Sequence, residues 1–274
     1  MTRTALSVGT LAAALYLSVP AWAADYATPA GCAVSETNLK LEAAGGSVDL
    51  GDGFDSEGAV RGIGSLSLPL GCMFGAQIDA GAAHFDGTTF AGVAGHLFMR
   101  DPTSHLLGVA ASYTDSEDAS GVWRVGPEAE LYLNNFSLEA WAGIEDSNDI
   151  STNFFATVDG AVYLSPDLRL SLGWRHSMDT DAGVLGAEYQ LSSMPVSVFA
   201  EGTLGEDEYR SLFGGVRFHF GPQKDLMSRH REDDPRAKIF DYVGGGTGLT
   251  PQQQCENAGG NWIDIEGGFC EGID

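Results

Sequence analysis

Twelve segments between residues 38 and 220 alternate apolar and polar side chains with a period of two, which is typical of β-strands with one apolar and one polar face. The predicted strands are 38–46, 60–69, 73–84, 90–100, 105–114, 122–133, 136–145, 153–164, 167–176, 183–191, 194–203 and 209–220. Most of them are nine to twelve residues long. An ordinary strand has roughly 5–6 residues, whereas a tilted strand needs roughly 9–11 to cross a bilayer. Strand length therefore favours a membrane-spanning sheet, although a soluble β-sandwich shows the same alternation.

The connections between these segments also alternate. Every second one is short, at 69–72, 101–104, 134–135, 165–166 and 192–193. The others are mostly longer and all contain acidic residues, at 46–59, 85–89, 115–121, 146–152, 177–182 and 204–208. Short turns at one end and longer loops at the other predict an all-β, antiparallel transmembrane β-barrel of about twelve strands, with short periplasmic turns and longer acidic outer loops. An even strand count places both chain ends on the short-turn side.

The charge balance excludes one class of partner and locates the acidic excess. The chain has 14 Lys and Arg against 38 Asp and Glu, a formal charge of -24, so nucleic acid is not an expected partner. Apolar residues make up 43% of the sequence and aromatic residues 10%, which is enough to bury surface and argues against disorder. Fifteen of the acidic residues lie in the longer loops. The excess is therefore concentrated at one rim.

The N-terminus has the pattern of a cleaved secretory signal, residues 1–23, with Arg3, an apolar run and Ala21-Trp22-Ala23. Export implies oxidised cysteines, and the four cysteines allow three pairings. Cys32 and Cys72 lie on the same side of the predicted barrel and could tether the segment 24–37, which we expect in the periplasm. Cys255 and Cys270 enclose a Gly-rich loop. The sequence alone does not decide between this pairing and the two other pairings of the four cysteines.

The polar faces of the predicted strands carry charged residues, which we expect to point inwards. The predicted pore-lining residues are Lys40, Arg61, Asp79, Arg124, Glu128, Glu130, Glu139, Asp159, Arg169, Arg175, Glu188, Glu201 and Arg217. Glu42 belongs to the same face. Opposed charges of this kind suit a water-filled pore with an ion preference. The alternative is a lumen filled by mutual ion pairs.

The last predicted strand ends in Gly215-Val216-Arg217-Phe218-His219-Phe220, which resembles the final-strand assembly signal of outer-membrane β-barrel proteins. Together with the strand pattern over 38–220, the chain resembles the porin-like proteins of Gram-negative bacteria. The resemblance implies assembly by the outer-membrane insertion machinery, contact with outer-membrane lipids and lipopolysaccharide, and an outer-membrane location. The termini would then lie in the periplasm.

The expected function is passive diffusion of small hydrophilic solutes or ions through a porin-like channel. A non-conducting structural or adhesive barrel, a lipid-active outer-membrane enzyme and a soluble secreted β protein are the alternatives. We expect no catalytic residue, cofactor or metal site, because the six histidines lack His-x-x-x-His spacing and no Gly-x-Ser-x-Gly is present. The tail, 222–274, has five positive residues between 224 and 238. We expect a periplasmic extension, with a lumen plug as the alternative.

Overall fold

A computed structural model of the chain forms one closed antiparallel barrel. It describes residues 31–51, 56–85, 87–116, 121–147, 152–191, 194–206, 208–240, 255, 261–263 and 269–271. The barrel strands are β1 (Asn38–Asp49), β2 (Glu57–Pro69), β3 (Phe74–Phe85), β4 (Thr88–Asp101), β5 (His105–Ser116), β6 (Val122–Leu133), β7 (Phe136–Ser147), β8 (Asn153–Ser165), β9 (Leu168–Ser177), β10 (Thr180–Gln190), β11 (Val196–Gly205) and β12 (Arg210–Phe220). The predicted twelve-strand barrel is confirmed.

Each strand pairs with its neighbours in sequence, and β1 closes the barrel by pairing with both β2 and β12. The closing register runs from Leu39 opposite Phe220 to Asp49 opposite Arg210. Because the sheet closes on itself, it has no edge strand with unpaired backbone groups. This closure allows the outer face to be apolar along its whole circumference.

The barrel has two rims that differ in charge. The tail rim is the end where β1 begins and β12 ends, with turns at 70–73, 102–104, 134–135, 166–167 and 191–195. The acidic rim is the opposite end, with connections at 50–56, 86–87, 117–121, 148–152, 178–179 and 206–209. Several strands extend further towards the acidic rim than the sequence predicted. Asp115 and Asp146, for example, lie in β5 and β7 because backbone pairing continues beyond the apolar band.

The outer face of the barrel is apolar and exposed. Ile78, Leu172 and Leu185 are 58%, 64% and 59% exposed. Aromatic side chains lie outside near both rims: Tyr113, Trp123 and Trp174 near the acidic rim, and Tyr189, Phe218 and Phe220 near the tail rim. Two aromatic girdles around an apolar band are expected at the two interfaces of a bilayer.

One helix, α1 (Leu226–Glu232), follows the last barrel strand. In the part of the chain that the structure describes, no helix has the length and apolar character needed to cross a membrane. A short hairpin of β13 (Asn261–Ile263) and β14 (Phe269–Glu271) lies close to the C-terminus.

Two segments outside the strands pack together at the tail rim. Cys32 and Cys72 form a disulfide, which confirms the tether between the N-terminal segment and the first turn. Ser35 N donates to the carbonyl oxygen of Glu232 at 2.9 Å, which joins the N-terminal segment to the end of α1. Val34 is fully buried against Phe98. The tail rim is therefore covered by the segment 31–37 and by α1.

The predicted signal peptide, residues 1–23, lies outside the described residues, as does most of the segment 24–37 before residue 31. Cys255 is disulfide-bonded. Its predicted pairing with Cys270 depends on a side chain outside the described part of the chain. The first part of the tail, 222–240, returns into the barrel instead of extending from it.

Candidate functional site: the occupied lumen

The structure places all thirteen predicted pore-lining side chains on the inner face of the barrel. Eight are buried: Asp79, Arg124, Glu128, Glu130, Glu139, Asp159, Arg175 and Glu188. Lys40, Arg61, Arg169, Glu201 and Arg217 line a remaining internal cavity. Two further inward charges, Arg100 and Glu145, are also buried. Sequence reasoning missed this pair because both lie at strand ends, beyond the clearest alternation.

One ion-pair network links strands on both sides of the barrel closure. Arg61 Nε and Arg217 Nε donate to the two carboxylate oxygens of Glu42, at 3.1 and 2.8 Å. Arg217 also pairs with Glu188, and Arg61 reaches Glu201 at 3.4 Å. These arginines come from β2 and β12, so the network ties β1, β10 and β11 together. Two guanidinium groups therefore bind three carboxylates along this part of the wall.

A second network is centred on His96, whose ring contacts two buried carboxylates. Nε2 lies 3.0 Å from Asp79 Oδ2 and Nδ1 lies 2.9 Å from Glu128 Oε2. Gln77 Nε2 donates to Asp79 Oδ1 at 2.9 Å and to the carbonyl oxygen of Pro235 at 3.1 Å. The last contact joins this wall network to the tail.

The opposite part of the wall is also paired. Arg124 Nε donates to Glu145 Oε2 at 2.8 Å, and Arg169 donates to Glu139 at 2.8 Å. Arg175 donates to Asp159 at 3.0 Å. Most of the inward charges are thus held in ion pairs, which offset the cost of taking each charge out of water.

The tail begins by crossing the tail rim as α1. Asp225 caps the helix, accepting from Ser228 N at 2.9 Å. Met227 N donates to the carbonyl oxygen of Pro166 in the turn between β8 and β9, at 2.9 Å. Arg229 Nε donates to Gln190 Oε1 at 2.9 Å. These contacts fix the helix to the turns of three neighbouring strands.

His230 points from α1 into the barrel. Burial lowers the pKa of His230 to about 4, so its ring is neutral near pH 7. Nδ1 can then accept a hydrogen bond. The Tyr163 hydroxyl lies 2.9 Å from Nδ1, and the Glu188 carboxylate lies 3.6 Å from Nε2. The helix is therefore bonded to the inner wall as well as to the rim.

Residues 233–240 continue into the lumen and meet charged groups of the wall. Asp234 pairs with Lys40 of β1. Arg236 donates to Asp159 of β8 and to Glu201 of β11, both at 3.1 Å. Because β8 and β11 are separated by two strands, this one guanidinium spans part of the lumen.

The described part of the tail ends close to the acidic rim. Thr114 Oγ1 donates to the carbonyl oxygen of Ile239 at 3.0 Å. A Cβ atom on Gly92 would lie 2.3 Å from a methyl carbon of Ile239, so glycine at this position provides the space that Ile239 occupies. Phe240 packs against the cluster that contains Phe85 and Phe90.

A cavity remains beside the tail in the lumen. Its volume is about 90 Å³, enough for several water molecules, and its wall is formed by residues of β1, β2, β6, β7 and β9–β12. Tail residues His230, Asp234, Arg236 and Phe240 line it together with wall residues. The tail is therefore the main occupant of a polar lumen.

The barrel is similar to solved structures of outer-membrane porins and channels. The KdgM porin superposes with a TM-score of 0.55 at 9% identity, covering 66% of this chain and 99% of that one. The same porin in complex with disordered oligogalacturonate gives 0.54 at 9% identity, with the same coverage. An outer membrane channel from Pseudomonas putida F1 gives 0.50 at 12% identity, covering 72% of this chain and 98% of that one. This chain has the fold of outer-membrane porins. No protein-family model and no curated protein matches the sequence of this porin-like barrel.

We expected the tail to extend into the periplasm, with a lumen plug as the alternative, and residues 222–240 occupy the lumen. The sequence signal for the occupied lumen is weak: among the five positive residues of the tail, Arg236 pairs with the wall carboxylates Asp159 and Glu201, whereas Lys224 pairs within the tail. No group of three His, Cys, Asp or Glu side chains in the described ranges is arranged to hold a metal ion. Whether the inward residues line a conducting pore stays a prediction.

Proposed function

We propose that this protein is an outer-membrane channel for small hydrophilic solutes or ions, held closed by its own residues 222–240. The observation that carries the proposal is a charged, porin-like lumen filled by a segment that is bound only through non-covalent contacts. Twelve strands enclose a wider lumen than the roughly eight whose side chains fill a barrel. Displacement of the tail would leave a polar passage.

The wall determines which solutes would pass. Between the rims, nine inward carboxylates face seven bases. The carboxylates are Glu42, Asp79, Glu128, Glu130, Glu139, Glu145, Asp159, Glu188 and Glu201, and the bases are Lys40, Arg61, Arg100, Arg124, Arg169, Arg175 and Arg217. An excess of two carboxylates favours cations and neutral solutes over polyanions such as oligogalacturonate, the ligand of the similar porin.

The apolar outer face supports contact with outer-membrane lipids, and the acidic rim would meet lipopolysaccharide outside the cell. In this orientation the tail rim and the N-terminal segment face the periplasm. The Gly215–Phe220 segment of β12 would serve as the signal for the insertion machinery.

A non-conducting structural barrel is the second candidate, favoured by the ion pairs that fill the lumen. It differs from a closed channel in one respect: removing the tail would not create a passage. We expect neither candidate to be an enzyme.

Planar-bilayer recordings on the full chain and on a chain ending at Gly221 would separate these functions. We expect rare, brief openings from the full chain and steady conductance from the shortened one. Heat-modifiable migration on gels would show that the shortened barrel has folded. A folded, shortened barrel that stays silent would contradict the channel and favour the structural role.

A further inference from the structure

The contacts of the tail advance in order from one rim to the other. At the tail rim, Met227 N donates to the carbonyl oxygen of Pro166. Asp234 forms an ion pair with Lys40 near the start of β1. Arg236 donates to Asp159 in the middle of β8. Ile239 then meets Thr114, two residues before the end of β5 at the acidic rim. The chain therefore runs through the lumen in one direction.

The length of this segment agrees with a crossing. An extended chain spans at most about 3.3–3.6 Å per residue, so the eight residues 233–240 cover at most about 29 Å. The hydrocarbon core of a bilayer is about 30 Å thick. Phe240 reaches the cluster of Val48, Phe85 and Phe90, which lies at the acidic-rim ends of β1, β3 and β4.

A return of the following residues through the barrel would have to share the lumen with residues 233–240, which already contact the wall on several sides. The cavity beside them has a volume of about 90 Å³, enough for several water molecules. The tail rim is also covered by α1 and by the segment 31–37, which is held by the Cys32–Cys72 disulfide.

The charges of the tail change at the same point. Residues 222–240 contain five Lys and Arg with four Asp and Glu, whereas residues 241–274 contain six Asp and Glu with no Lys, Arg or His. The first stretch pairs with the wall through both signs of charge, Arg236 with Asp159 and Glu201 and Asp234 with Lys40, and the wall itself has surplus carboxylates. The acidic part would be repelled by that wall, so electrostatics favours its position outside the lumen.

We propose that the barrel carries its own C-terminal segment through the membrane, so that residues 241–274 are displayed on the side opposite the N-terminus. The displayed part is acidic and contains the disulfide-bonded Cys255 and the β13–β14 hairpin. With the acidic rim outside, the barrel presents this segment at the cell surface. The inference depends on the membrane insertion proposed above but not on conduction.

Epitope labelling of a Gram-negative host that produces the full chain tests the threading. One epitope follows Asp274, and a second, in a separate chain, is inserted between Pro29 and Ala30. We expect antibody to label the C-terminal epitope on intact cells and the N-terminal epitope only after permeabilisation. Labelling of both epitopes only after permeabilisation would overturn the threading. The reverse pattern would keep the threading and overturn the orientation assigned to the rims.

Charge reversal in the lumen provides a point variant of the same chain with the C-terminal epitope. Arg236→Glu places a carboxylate against Asp159 and Glu201, so we expect intact-cell labelling of the C-terminal epitope to fall at least five-fold, with heat-modifiability unchanged. The matched control is Arg210→Glu, because Arg210 is exposed at the acidic rim and pairs with Asp49. Unchanged labelling in Arg236→Glu would contradict the route through the lumen. Conductance of the chain ending at Gly221 does not depend on where residues 241–274 lie, so the two proposals can fail separately.

Discussion

Arg236 joins the tail to two strands of the wall through one guanidinium, at 3.1 Å from both Asp159 and Glu201. Asp159 also pairs with Arg175, and Glu201 with Arg61, so both carboxylates keep a partner when Arg236 is removed. The contact is therefore specific to holding the tail.

Replacing Arg236 by alanine should weaken tail retention without unfolding the barrel. Loss of two charge-assisted hydrogen bonds at a partly exposed site is worth about 1–3 kcal/mol. We expect the open fraction in single-channel recordings to rise roughly 5- to 150-fold, since about 1.4 kcal/mol corresponds to a tenfold change.

Arg210→Ala serves as the matched control, because exposed ion pairs contribute about 0–1 kcal/mol. Equal open fractions in the two variants would show that Arg236 does not hold the tail.

At the scale of elements, the sequence predicted all twelve strands, and β6 with the observed bounds, 122–133. The alternation is clear there because lipid and a polar lumen impose opposite chemistry on neighbouring residues. The largest errors fall at the acidic rim: β1 ends at Asp49 instead of residue 46, and β10 begins at Thr180 instead of residue 183. The hydropathy pattern marks only the part of each strand that lies in the apolar band. Backbone hydrogen bonding continues beyond that band into the polar rim.

The inward face of the wall was also predictable, because alternation decides which side each residue takes. The path of the tail was not, because residues 233–240 form neither helix nor strand and have no periodic pattern. Their position depends on pairs such as Lys40 with Asp234, which are far apart in sequence. A single sequence does not indicate which distant charges meet.

The N-terminal segment and α1 support each other at the tail rim. Lys224 Nζ lies 2.7 Å from Asp233 Oδ1 and 2.6 Å from Ser35 Oγ, so the helix depends on the position of the segment 31–37. The Cys32–Cys72 disulfide, with a sequence separation of 40, holds that segment.

Removing this disulfide should loosen the closure of the tail rim. In the chain-entropy model a loop of this length contributes about 4 kcal/mol. We expect Cys32→Ser with Cys72→Ser to lower the midpoint of denaturant unfolding and to increase the open fraction in bilayers.

The comparison is with Cys255→Ser and Cys270→Ser, which leave the Cys32–Cys72 bond in place. An open fraction that rises equally in both double variants would contradict a specific role for the Cys32–Cys72 bond.

For the whole molecule, the distribution of charge sets the selectivity of the opened barrel. The formal charge of -24 is spread over an acidic rim, a wall with two surplus carboxylates, and a tail whose basic part lies inside. Removal of the tail takes Asp234, Arg236 and Lys238 out of the lumen and exposes Lys40, Asp159 and Glu201 to the passage, so the two surplus carboxylates of the wall set its charge.

A chain ending at Gly221 should therefore conduct cations in preference to anions. We expect the reversal potential in a potassium chloride gradient to shift towards the cation value, and Arg169→Ala with Arg175→Ala to shift it further. Anion preference, or no response to the two substitutions, would contradict the assigned wall charges.

The tail itself provides the most direct test of a self-closed lumen. A synthetic peptide of residues 222–240, added at the tail-rim side of barrels that end at Gly221, should block their conductance reversibly. The control peptide carries Asp234→Ala and Arg236→Ala, which remove the contacts with Lys40, Asp159 and Glu201. We expect the native peptide to block at concentrations at least tenfold lower than the control peptide. Uninterrupted conductance in the presence of the native peptide, or equal block by both peptides, would contradict a self-closed lumen.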